Sequence, residues 1–247
     1  VVDYSGFVRA EPLQVTTGLS GIGTDSLTLN GVAPRPYRFA MERDRITVGA
    51  ERRLPASFDV ELRYQHESKG GERLFGRGTA QFLAEPLNSS TEQIDAIVRY
   101  NGERLQLATG YYGSIYTNRP RFLDVNTGAD LALPPDNSAH QIYVGGGYRV
   151  ASTGRLTFKL AHARARQTDR FFVAPDLPGN TRTDLDGQLN TTFGQLGFSV
   201  RPLPGLSLLA NLRYEDRDDE TPRFQFLTPS TGRDGFNTPL SRSTRNA

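Results

Sequence analysis

Four times along this chain, two stretches of alternating apolar and polar residues meet at a short turn, and the turns recur about every fifty residues. The turns are Leu54-Pro55-Ala56-Ser57, Asn101-Gly102-Glu103, Ala151-Ser152-Thr153-Gly154 and Arg201-Pro202-Leu203-Pro204-Gly205. Long polar segments rich in Gly, Pro, Asp and Asn separate one hairpin from the next. Short turns therefore gather at one end of the strands and long loops at the other. Transmembrane β-barrels have this asymmetry: short periplasmic turns, long extracellular loops, and strands of about ten residues whose apolar face meets lipid.

Composition agrees with that architecture only once the period is considered. Of the 247 residues, 36% are hydrophobic, and no run approaches the length of a membrane helix. A barrel strand needs an apolar residue only at every second position, so such a run is not required. The chain has no cysteine, which excludes disulfides, thiol catalysis, cysteine-ligated metal clusters and covalent haem attachment through C-x-x-C-H. A net charge of +2 is too small to point to nucleic acid, although Arg supplies all the basic residues except Lys69 and Lys159. Val1-Val2-Asp3 lacks a charged segment followed by an apolar run, so the sequence is expected to be mature or cut from something longer.

The period-two pattern assigns faces. From Phe58 to Glu67, Phe58, Val60, Leu62 and Tyr64 alternate with Asp59, Glu61, Arg63 and Gln65. Arg45 to Arg52 is its hairpin partner, with Ile46, Val48 and Ala50 on one face. The second hairpin sets Ile94, Ala96, Val98 and Tyr100 against Leu105, Leu107, Thr109 and Tyr111, and Asn101-Gly102 between them predicts a type I′ turn. The third sets Ile142, Val144, Tyr148 and Val150 against Leu156, Phe158 and Leu160. The fourth sets Leu196, Phe198 and Val200 against Leu206, Leu208, Ala210, Leu212 and Tyr214. The reverse faces carry Asp59, Glu61, Arg63, Gln65, Gln93, Asp95, Arg99, Arg104, Gln106, Arg155, Lys159, Asn211, Arg213 and Glu215, expected to line the lumen. On the apolar face, Phe58, Tyr100 and Tyr148 fall beside the turns and Tyr64, Tyr111 and Tyr214 at the far strand ends, the places of two interfacial aromatic girdles.

Strand direction organises the chain. Residues 1–36 are expected to hold one or two strands, with Leu13 to Leu19 and Ser26 to Leu29 as the candidates; residues 37–217 hold four hairpins, and residues 218–247 read as an extracellular loop. With periplasmic turns, the first clear strand enters from the loop side and the last leaves to it. Bacterial barrels have even strand numbers and periplasmic termini, so a further strand is expected before Tyr37 and another beyond Ala247. The fold class expected is all-β, an antiparallel transmembrane barrel built as a meander of hairpins, and the chain reads as a fragment of a larger barrel.

No catalytic constellation emerges. His66, His140 and His162 sit on different elements without metal-ligand spacing. Asp216-Arg217-Asp218-Asp219-Glu220 lacks the spacing and glycine of a calcium loop, and Gly145-Gly146-Gly147 lies inside a strand rather than before a helix.

Several segments, in order along the chain, carry a family likeness. These are Ala132-Leu133-Pro134-Pro135-Asp136-Asn137-Ser138-Ala139-His140-Gln141, which leads into a glycine-rich strand, and Tyr100-Asn101-Gly102-Glu103-Arg104 followed by Gly110-Tyr111-Tyr112-Gly113-Ser114. Gln167-Thr168-Asp169, Arg201-Pro202-Leu203 and Arg213-Tyr214-Glu215-Asp216-Arg217-Asp218 running to Thr221-Pro222 complete the set, in order from about Arg38 to Ala247. Together these segments resemble the MtrB/PioB family of outer-membrane barrels, and the resemblance implies a barrel of more than twenty strands of which this chain is a middle portion. It implies no cofactor on the chain itself, with haem c carried by a periplasmic multihaem cytochrome inside the barrel, and an extracellular multihaem cytochrome as a further partner. The role implied is a non-enzymatic scaffold for electron transfer across the outer membrane. A cysteine pair of some members is missing. Two other readings share the strand pattern: an outer-membrane porin, and a soluble β-propeller or lectin-like domain.

Overall fold

The computed structural model describes residues 2–8, 13–17, 26–27, 33, 35–77, 81–125, 131–170, 184–223, 225–227 and 234–236. In chain order its strands are β1 (Val2–Val8), β2 (Leu13–Thr17), β3 (Ser26–Leu27), β4 (Arg35–Phe39), β5 (Met41–Leu54), β6 (Phe58–Arg77), β7 (Gln81–Asn101) and β8 (Leu105–Asn118). There follow β9 (Phe122–Val125), β10 (Leu131–Ala132), β11 (Asn137–Ala151), β12 (Gly154–Gln167), β13 (Gly187–Leu203), β14 (Leu206–Asp219), β15 (Gln225–Leu227) and β16 (Asp234–Phe236). One antiparallel sheet of nine strands runs β1-β5-β6-β7-β8-β11-β12-β13-β14, and the short strands pair in small sheets at the loop end. The chain is all-β, and the large sheet is the wall of a barrel fragment. The four hairpins are β5–β6, β7–β8, β11–β12 and β13–β14.

β1 is the addition that the alternation did not single out. It pairs antiparallel with β5 from Val2↔Val48 to Val8↔Glu42, so it rises from the turn side, the direction needed before Tyr37. The segments expected at Leu13 to Leu19 and Ser26 to Leu29 appear as β2 and β3, which pair with β4 and β9 and stand outside the large sheet. Residues 18–19 and 28–29 fall outside the described residues.

The sheet is a single layer. Phe39, Ala84, Leu123 and Ala161 are the buried apolar residues among those described, whereas Leu62, Leu160, Leu208 and Leu212 are each about half exposed or more (47%, 54%, 50% and 64%). A soluble domain of this length would bury roughly 70% of its surface around a core. Here the apolar stripe is left for another solvent to cover.

Register shows how the wall is inclined. The outward row that begins at Phe58, beside its turn, passes through Tyr100, Leu107, Gly146, Phe158 and Leu196 to Leu212, well up β14 from Leu206 at the last turn. With the short turns at one level, hydrogen-bonded rows climb about one residue per strand. At a rise of about 3.3 Å per residue and about 4.8 Å between strands, that stagger corresponds to a tilt of about 35°, the inclination of closed barrels.

Turn chemistry corrects one expectation. Asn101 and Gly102 are not among the residues with positive φ, so they do not form a type I′ turn; the ladder closes at Asn101↔Gln106, leaving a four-residue loop with Gly102 N donating to Leu105 O (2.9 Å). The Tyr100 ring lies over Gly102 instead, and a Cβ there, 2.7 Å from the Tyr100 hydroxyl, would displace that ring. Left-handed backbone occurs at Ala56 (φ 60°) and Ser57 (φ 64°) in the first turn and at Gly205 (φ 85°) after Pro204 in the last, the latter as type II geometry requires.

Candidate functional site on the polar face of the sheet

The face opposite the apolar stripe holds the charged residues, and most are tied to one another across strands. Arg99 Nη2 donates to Glu61 Oε2 (2.8 Å) and Arg63 Nη2 to Glu61 Oε1 (3.2 Å), so one carboxylate holds two guanidinium groups. Asp59 accepts from Arg53 Nε (3.3 Å) and Asn101 Nδ2 (2.9 Å). Gln65 Nε2 donates to Gln93 Oε1 (3.0 Å), and Gln93 Nε2 donates to the Tyr112 hydroxyl (2.9 Å), a relay over three strands. At the other end of the wall, Gln195 Nε2 donates to Asn211 Oδ1 (3.2 Å), while Glu215 accepts from Arg213 Nη2 (2.8 Å) and Arg217 Nε (3.0 Å). Asp95 stands opposite Arg63 and Tyr112 in register. Arg104 follows the Tyr148↔Leu105 pair, its carbonyl accepting from Arg149 N, and Gln106 Oε1 accepts from Arg155 Nη2 (3.2 Å). All fourteen residues expected on this face lie in the large sheet or its turns and share one parity.

Three aromatic side chains on the same face escaped the sequence reading, which looked there only for polar residues. Tyr143 lies across Gly110, where a Cβ would stand 2.6 Å from its ring. Lys159 Nζ and the Arg213 guanidinium approach the Phe193 ring to 5.8 and 5.2 Å from its centroid. Tyr112 ends the glutamine relay. Period two alone would have placed them, as it would have placed Arg149 beside Gly147.

On the apolar face, Phe58 and Tyr100 are ladder partners with ring centroids 5.0 Å apart, and Tyr148 stands opposite Leu105 and Leu156. Tyr64 lies opposite Val48 and Ile94, Tyr111 opposite Ala96 and Ile142, and Tyr214 opposite Gly194. These last three occupy different rows, but the climb of the rows brings them towards a common height. The Tyr111 hydroxyl meets His140 Nδ1 (2.7 Å), and His162 Nδ1 meets Thr192 Oγ1 (3.1 Å), so two of the three histidines sit just past the apolar stripe in local hydrogen bonds.

Beyond the apolar stripe, the β6–β7 ladder continues to Arg77↔Gln81 as an arm on the loop side. Glu67 gathers Arg43 (2.5 Å), Arg45 (2.6 Å) and Lys69 (3.3 Å) at its base. Higher up, Arg73 grips Glu85 through Nε (2.6 Å) and Nη2 (2.8 Å), and that carboxylate raises the Arg73 pKa above its ordinary value. Asp136 Oδ1 accepts from Asn118 N (2.6 Å), and Asn118 Nδ2 donates to Pro134 O (2.9 Å), which pins the Pro134-Pro135 segment to the end of β8.

Comparison with known proteins bears on this two-faced wall. A model of the family described as "Putative outer membrane beta-barrel porin, MtrB/PioB" matches residues 1–247. The chain is also 24% identical, over 281 aligned positions, to Outer membrane protein MtrB of Shewanella baltica (strain OS185), a match covering 99% of this chain and 40% of that protein. The chain thus spans well under half the length of that curated relative. A single-layer sheet with one apolar and one polar face, inclined as a barrel wall, is what a family of outer-membrane porins requires, and the chain belongs to the MtrB/PioB family of outer-membrane β-barrels.

Proposed function

We propose that this chain is a section of a barrel that sheathes a multihaem c-type cytochrome, forming the scaffold of a conduit that carries electrons across the outer membrane. The observation that supports this reading best is the low relief of the polar face. Tyr143 lies over Gly110 and Arg155 over Gly147, while Glu61 and Glu215 each form ion pairs with two arginines along the sheet. Such a surface is hydrogen-bonded within itself and leaves room for a bulky polar guest. Tunnelling needs haems in close succession, and a bilayer offers a cytochrome neither polar surroundings nor ligands. The barrel supplies insulation: backbone groups paired strand to strand, apolar side chains towards lipid between aromatic girdles at Phe58, Tyr100 and Tyr148 and at Tyr64, Tyr111 and Tyr214, and charged side chains towards the guest. The chain itself holds no haem in this scheme; the partner carries it, and an extracellular multihaem cytochrome takes or gives electrons at the loop end.

The family's description as a porin favours a second reading, a barrel open to solutes. Purification of the tagged full-length protein from its own membranes separates the two. A stoichiometric c-type haem spectrum accompanying the barrel is expected; a haem-free barrel that conducts ions in planar bilayers would contradict the sheath.

A further inference from the structure

Most arginines of the polar face have a carboxylate partner, but three adjacent ones at the turn end lack one among the described residues. Arg149 and Arg155 are direct ladder partners on β11 and β12, and Arg149 N donates to the Arg104 carbonyl (2.8 Å) at the start of β8. Three arginines therefore stand side by side on adjacent strands at the short-turn end. Like charges directly opposite one another destabilise a sheet. Arg43, Arg45, Arg53, Arg63, Arg99, Arg213 and Arg217 each meet a carboxylate, but none of these three forms an ion pair among the described residues. They border a cavity of about 250 Å³ floored by Gly147 and edged by Gln106 and Glu103. Arg155 is held in place, its guanidinium 3.1 Å from where a Gly147 Cβ would be and its Nη2 on Gln106 Oε1 (3.2 Å). Glu103 is one negative charge against three positive ones.

From this geometry we propose that Arg104, Arg149 and Arg155 form a carboxylate-binding site at the periplasmic mouth of the lumen, which docks an acidic segment of the polypeptide occupying the barrel. The inference rests on the sheath reading and gives its guest a chemistry. Three adjacent cationic side chains attract carboxylates by their charge, and a carboxylate set between cross-strand arginines offsets the repulsion within the row. Its place at the short-turn end is where a protein arriving from the periplasm first meets the wall, so the row also steers association.

The test uses the tagged full-length barrel produced with its native partners, as wild type, as R104Q/R149Q/R155Q, and as R104K/R149K/R155K. Haem per barrel is measured after washes of rising NaCl concentration, with barrel yield and heat-modifiable migration as the check on folding. The glutamine variant is expected to release its haem protein at about a tenfold lower salt concentration than wild type, and the lysine variant to stay within about twofold of wild type. If the triple glutamine variant does not assemble, R149Q alone is read the same way, with release at a lower salt concentration than wild type expected. Haem retention unchanged in the glutamine variant, or lost equally in the lysine variant, overturns the docking site while leaving the sheath intact. A wild-type barrel without haem overturns the sheath itself, and this inference with it.

Discussion

Leu107 and Gln106 are neighbours on β8 with opposite surroundings, and the difference can be measured. Leu107 lies in the outward row between Tyr100 and Gly146, and Leu208, half exposed, occupies the corresponding face of β14. Replacing either by Arg places a charge against hydrocarbon and is expected to cost about 2–4 kcal/mol near the midplane, seen as reduced yield of heat-modifiable barrel in the outer membrane. Arg at Asn211, on the polar side beside Gln195, should assemble close to wild type, and Arg at Gln106, although it joins the row of Arg155, should lose less than Arg at Leu107; equal losses at all four positions would contradict the assignment of faces. At this scale alternation made legible which residues share the polar face, since face follows from parity. Other features were not legible. Gly102 reads as a turn glycine by composition, yet its φ is not positive and the Tyr100 ring lies over it. The same holds for Tyr143 over Gly110, because a glycine's sequence context does not reveal which ring will cover it.

Among the elements, the β6–β7 ladder departs most from the sequence reading. Alternation is plain from Phe58 to Glu67 and then stops at Ser68-Lys69-Gly70-Gly71, so the strand was expected to end there. Pairing nevertheless continues to Arg77↔Gln81, because a ladder outside the lipid needs no apolar face and is held by cross-strand ions. The Arg73–Glu85 pair anchors this arm, with Glu85 4% exposed. Arg73→Ala leaves that carboxylate unpaired and is expected to destabilise the arm locally by about 1 kcal/mol, since Arg73 itself is half exposed and partly screened. Faster amide exchange confined to residues 72–88, with barrel assembly unchanged, is the expected result; exchange at the wild-type rate would show the arm to be held by backbone pairing alone. β1 was missed for a different reason: Val2-Asp3-Tyr4-Ser5-Gly6-Phe7-Val8 alternates only briefly, and its place is set by the edge that β5 presents.

For the molecule as a whole, sequence period settled the fold class because membrane and lumen impose opposite solvents on alternate residues. It did not yield the tilt, which appears only when registers are followed across six pairings from Phe58 to Leu212. Nor does it separate a lumen filled by water from one filled by protein, since both want a polar face. Accessibility of that face does. This stretch has no cysteine, so in a full-length barrel with any cysteines elsewhere replaced, single cysteines introduced here report without background. In the full-length barrel in its own membranes, cysteines replacing Arg63 and Asn211 are tested with a water-soluble maleimide, and cysteines replacing Leu62 and Leu212 serve as lipid-facing controls. The sheath predicts that the lumenal pair is shielded when the haem protein is present and reacts at least tenfold faster in cells lacking it, while the lipid-facing pair stays unreactive in both. Lumenal cysteines that label equally fast with and without the haem protein would mean an open pore, and would contradict the account.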